Sequence, residues 1–278
     1  MRQLRLKAGI LAFPFIAGFL LFYIIPFLGS VLYSFFTTTR LTDFVMFRNY
    51  ADVMENKFYL LAFTNTMRFS GLAVPLLVVC AVLMSFLLYA LFERMPAARS
   101  AFLIPLLMPS AALVAFWDMA FIKGLGIGLG EASAGLMSHV DPIVPVVIFF
   151  LWKNVGICAL ILCSRILSIP HEIYEAAQMD GASKFRIHFH ITLPIIVPAI
   201  FFAVIFGLVQ SFKVYKEVFL LYGSHPQNSL YFMQHYVNNK FRKLDYPSLS
   251  AGSVIFAAGL LAVVGLIFLC YRLVSKRR

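Results

Sequence analysis

Charge is what this sequence lacks. Only 13% of its 278 residues are charged and just 12 are Asp or Glu, whereas soluble domains carry about 25% charged residues. Apolar residues make up 62% of the chain and the mean hydropathy is +0.89. That balance excludes a soluble enzyme, a disordered tail and a nucleic-acid reader. Cysteine is sparse as well. Cys80, Cys158, Cys163 and Cys270 all fall in apolar runs, without metal-ligand spacing or the pattern of a disulfide framework. His188 and His190 stand two apart, which on a helix would point them to different faces, so they read as part of a solvated loop. Paired carboxylates, a Ser–His arrangement and HExxH are missing, which removes the usual enzyme constellations.

Long apolar runs are what the chain has. A membrane helix needs about 20 mostly apolar residues, because in lipid the backbone must satisfy its own hydrogen bonds. Six runs qualify, at approximately 8–36, 66–92, 100–122, 143–166, 194–221 and 251–274. They predict an all-α integral membrane protein of six transmembrane helices, forming one transmembrane domain over 1–278. The first run follows Met-Arg-Gln-Leu-Arg-Leu-Lys but is too long for a signal peptide and lacks a small-residue cleavage site, so it reads as an uncleaved span kinked at Pro14 and Pro26. The net charge of +11 then becomes a matter of topology. Placing both termini in the cytoplasm puts twelve lysines and arginines inside against seven outside, the bias expected of cytoplasmic loops.

The loop between the fourth and fifth runs, from Ile169 to Pro194, has a pattern of its own. Pro170 opens a helix whose first turns carry Glu172 and Glu175, favourable at the positive end of the helix dipole. Gly181 supplies a permissive end, and a second amphipathic stretch runs from Ser183 to His190. Helix–Gly–helix makes a rigid knob that could plug into a partner, or an interfacial helix lying on lipid headgroups. Glu175-Ala176-Ala177, three residues, Gly181, nine residues and Ile191-Thr192-Leu193-Pro194 resemble the EAA loop of permease subunits of bacterial ATP-binding-cassette (ABC) importers. In that family the loop forms coupling helices that dock in a groove of a separate ATPase. The resemblance implies this role for Glu175, Ala176, Ala177, Asp180, Gly181 and Leu193, with Glu175 meeting a basic ATPase residue and the alanines allowing close approach.

The likeness extends to the carbohydrate-uptake branch through Phe47-Arg48-Asn49-Tyr50, Asn65-Thr66 opening the second span, Ile104-Pro105 with Pro109, Trp152-Lys153 with Gly156, and Ser168-Ile169-Pro170. Three departures stand out: a missing glycine in the first motif, Lys216 where an acidic residue is usual, and Ser224-His225-Pro226 in place of Gly-Gly-Pro. They bear on the substrate and leave the family as it is. An ATP-hydrolysing chain would need a phosphate-cradling loop ending in Gly-Lys-Ser/Thr. The only glycine-rich stretch, Gly124–Gly130, lacks the lysine. The chain is thus expected to be non-catalytic and to bind no cofactor, with ATP and Mg held by partner ATPase subunits.

Polar residues inside the spans are the remaining candidates. A lysine at the centre of a span costs about 2.5–3.5 kcal/mol on insertion scales, so it usually faces a cavity or a partner. Lys153 lies near the middle of the fourth span beside Trp152 and Asn154. An aromatic face with amide and ammonium donors suits a sugar ring, while a pairing of Lys153 with a carboxylate or carbonyl of a partner subunit would also satisfy it. In the fifth span Gly207, Gln210, Ser211, Val214 and Glu217 form one polar stripe with Lys213 at its margin, and Lys216 points away. Lys213 is four residues from Glu217, so an intrahelical pair competes with a ligand role. The family places substrate contacts on the matching stretches, which makes Trp152, Lys153, Asn154, Gln210, Ser211 and Lys213 the candidate substrate residues.

The expected function is that of an importer's permease subunit, in the bacterial inner membrane, moving a sugar or oligosaccharide inward. Its expected partners are a cytoplasmic ATPase dimer, a second permease subunit (often a different chain in this family), an extracytoplasmic solute-binding protein and membrane lipid, with no nucleic acid. A permease for a non-sugar or anionic solute is the alternative. An ion-coupled secondary transporter would explain the buried lysines but needs no EAA-spaced loop, and a membrane-embedded enzyme lacks convergent acid, base or metal residues.

Overall fold

A computed structural model describes residues 12–38, 41–91, 103–119 and 141–276. Among them the chain is helical, with one isolated bridge between Phe36 and Phe44 and no strand. Five helical runs are long and apolar enough to cross a membrane: Ala12–Tyr33, Lys57–Ala90, Ile143–Leu167, Val197–Tyr222 and Tyr246–Leu273. Packing within the chain falls into two compact units, a terminal one comprising Met1–Phe63 with Tyr236–Arg278 and a central one comprising Thr64–His235.

In the terminal unit, α1 (Ala12–Tyr33) accommodates Pro26 with a π-helical turn over Leu20–Ile24, closed by Ile25 N–H donating to the Leu20 carbonyl. The short helix α2 (Arg48–Glu55) shows what Phe47-Arg48-Asn49-Tyr50 does. Asn49 Nδ2 donates to the carbonyls of Ser34 and Phe36 at 2.9 and 2.8 Å, and the Tyr50 hydroxyl lies 2.6 Å from Ser34 Oγ. The motif ties the connector back to the end of α1.

α3 (Lys57–Ala90) begins nine residues before the start expected at 66. Its first turn is capped by Asn56, whose Oδ1 accepts the N–H groups of Phe58 and Tyr59 at 3.0 and 3.2 Å. Asn65 and Thr66 do not open the helix. They stand inside it, where Asn65 Nδ2 donates to the carbonyls of Asn228 and Tyr231, and Thr66 Oγ1 accepts Met233 N–H at 2.9 Å. Polar side chains that look like a helix start are here a clasp for a distant loop.

The third run, expected over 100–122, is not one helix where it is described. α4 (Ile104–Leu107) stops at Met108, which the following Pro109 holds extended at ψ 139°, and α5 (Ser110–Trp117) restarts. Residues 100–102 and 120–122, like Gly124–Gly130, lie outside the described residues. Among the described residues there are five candidate spans, and the third expected run is described only in part. α6 (Ile143–Leu167) matches its predicted run to one residue. The fifth run is interrupted at Val214 into α9 (Val197–Lys213) and α10 (Tyr215–Tyr222), with α7 (His171–Met179) and α8 (Lys184–Ile187) before it in the loop. α11 (Met233–Arg242) leads to α12 (Tyr246–Lys276), which starts five residues before the expected 251. Asp245 sets that start by accepting Ser248 N–H at 3.3 Å, and Pro247 is tolerated in the first turn.

The central unit carries the larger core, with Phe69, Leu77, Trp117, Phe150, Leu162 and Ile166 almost fully buried. α3 and α9 approach closely at Gly207, where a Cβ would meet Leu77 Cδ2 at 2.9 Å and Val74 Cγ1 at 3.3 Å. By contrast, the most apolar windows of α1 and α12 bury nothing within the chain, as suits helices that present their sides to lipid.

Two outcomes follow from this packing. Gly207→Val should lower the thermal stability of the purified protein by about 1–3 kcal/mol through overpacking, with Gly207→Ala milder, as read by unfolding in detergent. His235 is fully buried against Tyr215 and Tyr231, and its Nδ1 accepts Phe232 N–H at 3.1 Å. Burial first, and nearby His225 second, lower its pKa from 6.5 to about 4. The unfolded chain therefore binds a proton that the folded ring refuses, so stability is full above pH 6.5 and declines as pH falls toward 4. Unfolding temperatures measured across that window should show the slope, and His235→Gln should flatten it.

Candidate functional site

Two features of the central unit carry chemistry: the loop between α6 and α9, and a recess between α6 and the α9–α10 pair. The loop is built for stiffness. Pro170 stands just before α7 at ψ 137°, and α7 ends with Gly181 in the left-handed region at φ 74°. Gly181 N–H donates to the Gln178 carbonyl and Ala182 N–H to the Ala177 carbonyl, both at 3.0 Å, the paired bonds of a Schellman cap. Nothing lies within 4 Å of a Cβ built at 181, so the backbone conformation alone calls for glycine there. Ser183 then caps α8, its hydroxyl accepting Arg186 N–H at 3.3 Å.

The inner side of the loop is anchored to the core. Tyr174 is buried with its hydroxyl 3.2 Å from Thr192 Oγ1, Ile187 is buried, and Ala177, Ala182 and Leu193 pack against the same cluster. His188 lies on the Phe86 ring at 4.8 Å, and burial, reinforced by Lys184, lowers its pKa. His190 Nδ1 is 3.3 Å from the Arg186 carbonyl. Glu175, Ala176 and Asp180 face outward. Beside them the loop displays apolar bulk, with Met179 89% and Phe185 71% exposed and the Phe185 and Phe189 rings 4.4 Å apart. Sequence reasoning singled out the glutamate and the alanines and missed this apolar surface. Its signal was there: Met179, Phe185 and Phe189 are large apolar side chains beside the charged residues of the loop.

In the recess, Lys153, Asn154, Gln210, Lys213 and Glu217 come together over Phe149 and Phe150. The recess encloses only about 10 Å³, about the room that a single water needs. Lys153 Nζ donates to Glu217 Oε1 at 2.5 Å, and Ser110 Oγ donates to the same oxygen at 3.0 Å. Side-chain exposure is 17% for Lys153 and 4% for Glu217. The partner of Lys153 is thus a carboxylate of its own chain, 64 residues away, and Glu217 pairs across helices with Lys153 where an intrahelical pair with Lys213 had been considered. No periodicity within one span signals such a pair.

Two of the six substrate candidates stand apart from the recess lining. Trp152 belongs to an aromatic cluster, its ring 5.7 Å from Phe116 and 5.9 Å from Trp117. Ser211 is buried, 2.8 Å from Ser70 Oγ on α3, and donates to the Leu208 carbonyl at 2.7 Å. Lys216 is exposed and outside the lining. Among the described residues, no group of three or more His, Cys, Asp or Glu is arranged to hold a metal.

A helical membrane protein with a polar recess between spans and a braced, protruding helix pair at one end of them has the form of a transport component. A family model described as "binding-protein-dependent transport system inner membrane component" matches residues 96–278, and the chain belongs to that family. It is similar to a probable ABC transporter permease protein, YurN of Bacillus subtilis, with 28% identity over 75% of this chain and 76% of that one. It is also similar to the sn-glycerol-3-phosphate transport system permease protein UgpA of Yersinia pestis, with 25% identity over 85% and 82%. The trehalose/maltose transport system permease protein MalF of Thermococcus litoralis shows 25% identity over 87% and 85%. Among solved structures, a chain of a bacterial alginate ABC transporter in complex with an alginate pentasaccharide-bound periplasmic protein superposes with a TM-score of 0.74. It covers 99% of this chain and 95% of its own at 20% identity, a likeness of fold.

The pair between α6 and α10 gives a double-mutant test. Lys153→Met or Glu217→Leu alone leaves an uncompensated charge and should cost about 3–5 kcal/mol. The double variant should regain most of that loss, as read by thermal unfolding of all four proteins.

Proposed function

We propose that this chain is the six-span permease subunit of an ABC importer that carries a sugar or oligosaccharide into the cytoplasm. The observation that carries the reading is the family match over residues 96–278, which includes the capped loop at Glu175–Gly181. Residues 1–278 act as one transmembrane domain in the inner membrane with both termini cytoplasmic. α7 and α8 are the docking element for an ATPase dimer. Glu175 meets a basic ATPase residue, Ala176 permits close approach, and Met179 and Phe185 fill apolar space on the partner. Ala177, Asp180, Gly181 and Leu193 hold the element in shape. A second permease subunit, a different chain in the simplest reading, completes the path, and an extracytoplasmic binding protein delivers the solute.

The mechanism is alternating access driven by partners. ATP binding closes the ATPase dimer and pulls its grooves, with α7, toward the axis. α6 carries Lys153 and ends three residues before α7, and the Tyr174–Thr192 contact ties α7 to the segment entering α9. One displacement of α7 therefore moves both walls of the recess. The solute contacts fall to Lys153, Asn154, Gln210 and Lys213, while Trp152 and Ser211 support the walls. To be driven fully, such a two-state element needs about 5.5 kcal/mol of differential binding, a demand that ATP-dependent closure meets and that this chain, which carries no phosphate-cradling loop, leaves to the ATPase.

Relatives named for trehalose/maltose and for sn-glycerol-3-phosphate match the chain about equally well, so similarity does not choose between a neutral and an anionic solute.

Gly181→Val forces a β-branched residue into the left-handed region, at a cost of about 1–2 kcal/mol, and misdirects α8. Uptake of radiolabelled sugar by cells carrying this variant should fall at least tenfold while the chain remains in the membrane fraction. Glu175→Ala should weaken co-purification of the ATPase. Normal uptake in both would overturn the coupling role.

A further inference from the structure

Charge in the recess does not balance. The carboxylate of Glu217 already accepts from Lys153 and Ser110 through one oxygen. Lys213 lines the same recess, is exposed, and makes no ion pair or hydrogen bond among the described residues. Two ammonium groups against one carboxylate leave a surplus of one positive charge inside a membrane span, where a lone lysine is unfavourable and attracts an anion. A neutral sugar, which hydrogen-bonds but carries no charge, does not explain that surplus. Asn154 is 2% exposed, spends its Nδ2 on the Phe150 carbonyl, and leaves Oδ1 buried without a hydrogen-bond partner. That oxygen is sealed from solvent, while Gln210 adds an adaptable amide to the lining.

From this we infer that the transported solute is an acidic saccharide, whose carboxylate or phosphate is received by Lys213 at the mouth of the recess. The Lys153–Glu217 pair keeps the second lysine neutralised, so the recess presents one uncompensated positive charge, that of Lys213, to the solute. This rests on the reading of the recess as part of the solute path. Lys216, on the next turn but outside the lining, serves as the internal control: its charge is not part of the selectivity.

The test uses the intact importer, purified through a tag on this chain with its own partners and reconstituted in vesicles. Uptake is measured for three probes: a neutral trisaccharide, an oligouronide trisaccharide and a sugar phosphate ester. The expected result is uptake of an acidic probe, with the two acidic arms separating carboxylate from phosphate. Lys213→Gln should lower the maximal rate for that probe about tenfold or more, the loss of one charge-assisted bond. Lys213→Arg should keep it within about threefold, and Lys216→Gln should leave it unchanged. Gln210→Glu, which places a second carboxylate in the recess, should also depress it and serves if Lys213→Gln fails to assemble.

Uptake of the neutral probe alone overturns the inference and leaves the sugar-importer reading standing. Uptake of none of the three overturns that reading and the inference with it. Acidic uptake indifferent to both Lys213→Gln and Gln210→Glu removes Lys213 from the solute path.

Discussion

A lysine and a glutamate brought together between two membrane spans set the terms for the central unit. In water a Lys–Glu contact is worth little. With Glu217 almost fully buried, each charge is tolerated only because the other is there, and Ser110 fills a further site on the same oxygen. The pair fixes the rotation of α6 about its axis relative to α10, and with it everything those helices display. It orients Asn154 and Lys213 into one recess and leaves Lys216 outside. Because the contact also reaches α5 through Ser110, it ties a third helix to the same point. The interruption at Val214, just before α10, belongs to this arrangement: it lets Glu217 be aimed independently of α9.

Much of the architecture could be read directly. Composition and run length predicted a helical membrane protein, and α6 lies within one residue of its expected run because an acidic residue and a proline mark its start and a serine–proline boundary its end. The EAA-spaced loop was legible because its requirement is local: a glycine at a left-handed cap and a proline at a start are set by neighbours in sequence. Other features were hidden because they are not local. Asn65 and Thr66 looked like a helix start, yet their partners are backbone groups more than 160 residues away. Lys153 was expected to meet a solute or a partner subunit and Glu217 was weighed against Lys213, while their actual contact joins residues 64 apart. The third run was apolar enough for a span, and hydropathy is blind to what Pro109 does to the residue before it.

In the proposed coupling, the loop acts on a recess a helix away, and the connections between the two are short. α6 is one continuous helix from Ile143 to Leu167, followed at once by Pro170 and α7. Only Ser168, Ile169 and Pro170 lie between them, the first two hydrogen-bonded back to the Arg165 and Ile166 carbonyls. On the other side Tyr174, Thr192 and Leu193 couple α7 to the entry of α9 through packed contacts. The loop is thus clamped at both ends and capped in the middle. Its exposed face is free to be gripped by a partner, and its buried face is already joined to the walls of the recess.

The length of α3 has a consequence for where irregular backbone can stand. At 34 residues and about 1.5 Å per residue it is some 50 Å long, well beyond a hydrocarbon core of about 30 Å. Asn65 and Thr66 hold the chain at Asn228–Met233 some 24 residues from the far end of that helix, a distance of about 36 Å. α3 is therefore a measuring rod. It fixes the short 3₁₀ turn at Asn228–Leu230 and the residues after it farther from that end than the thickness of a hydrocarbon core.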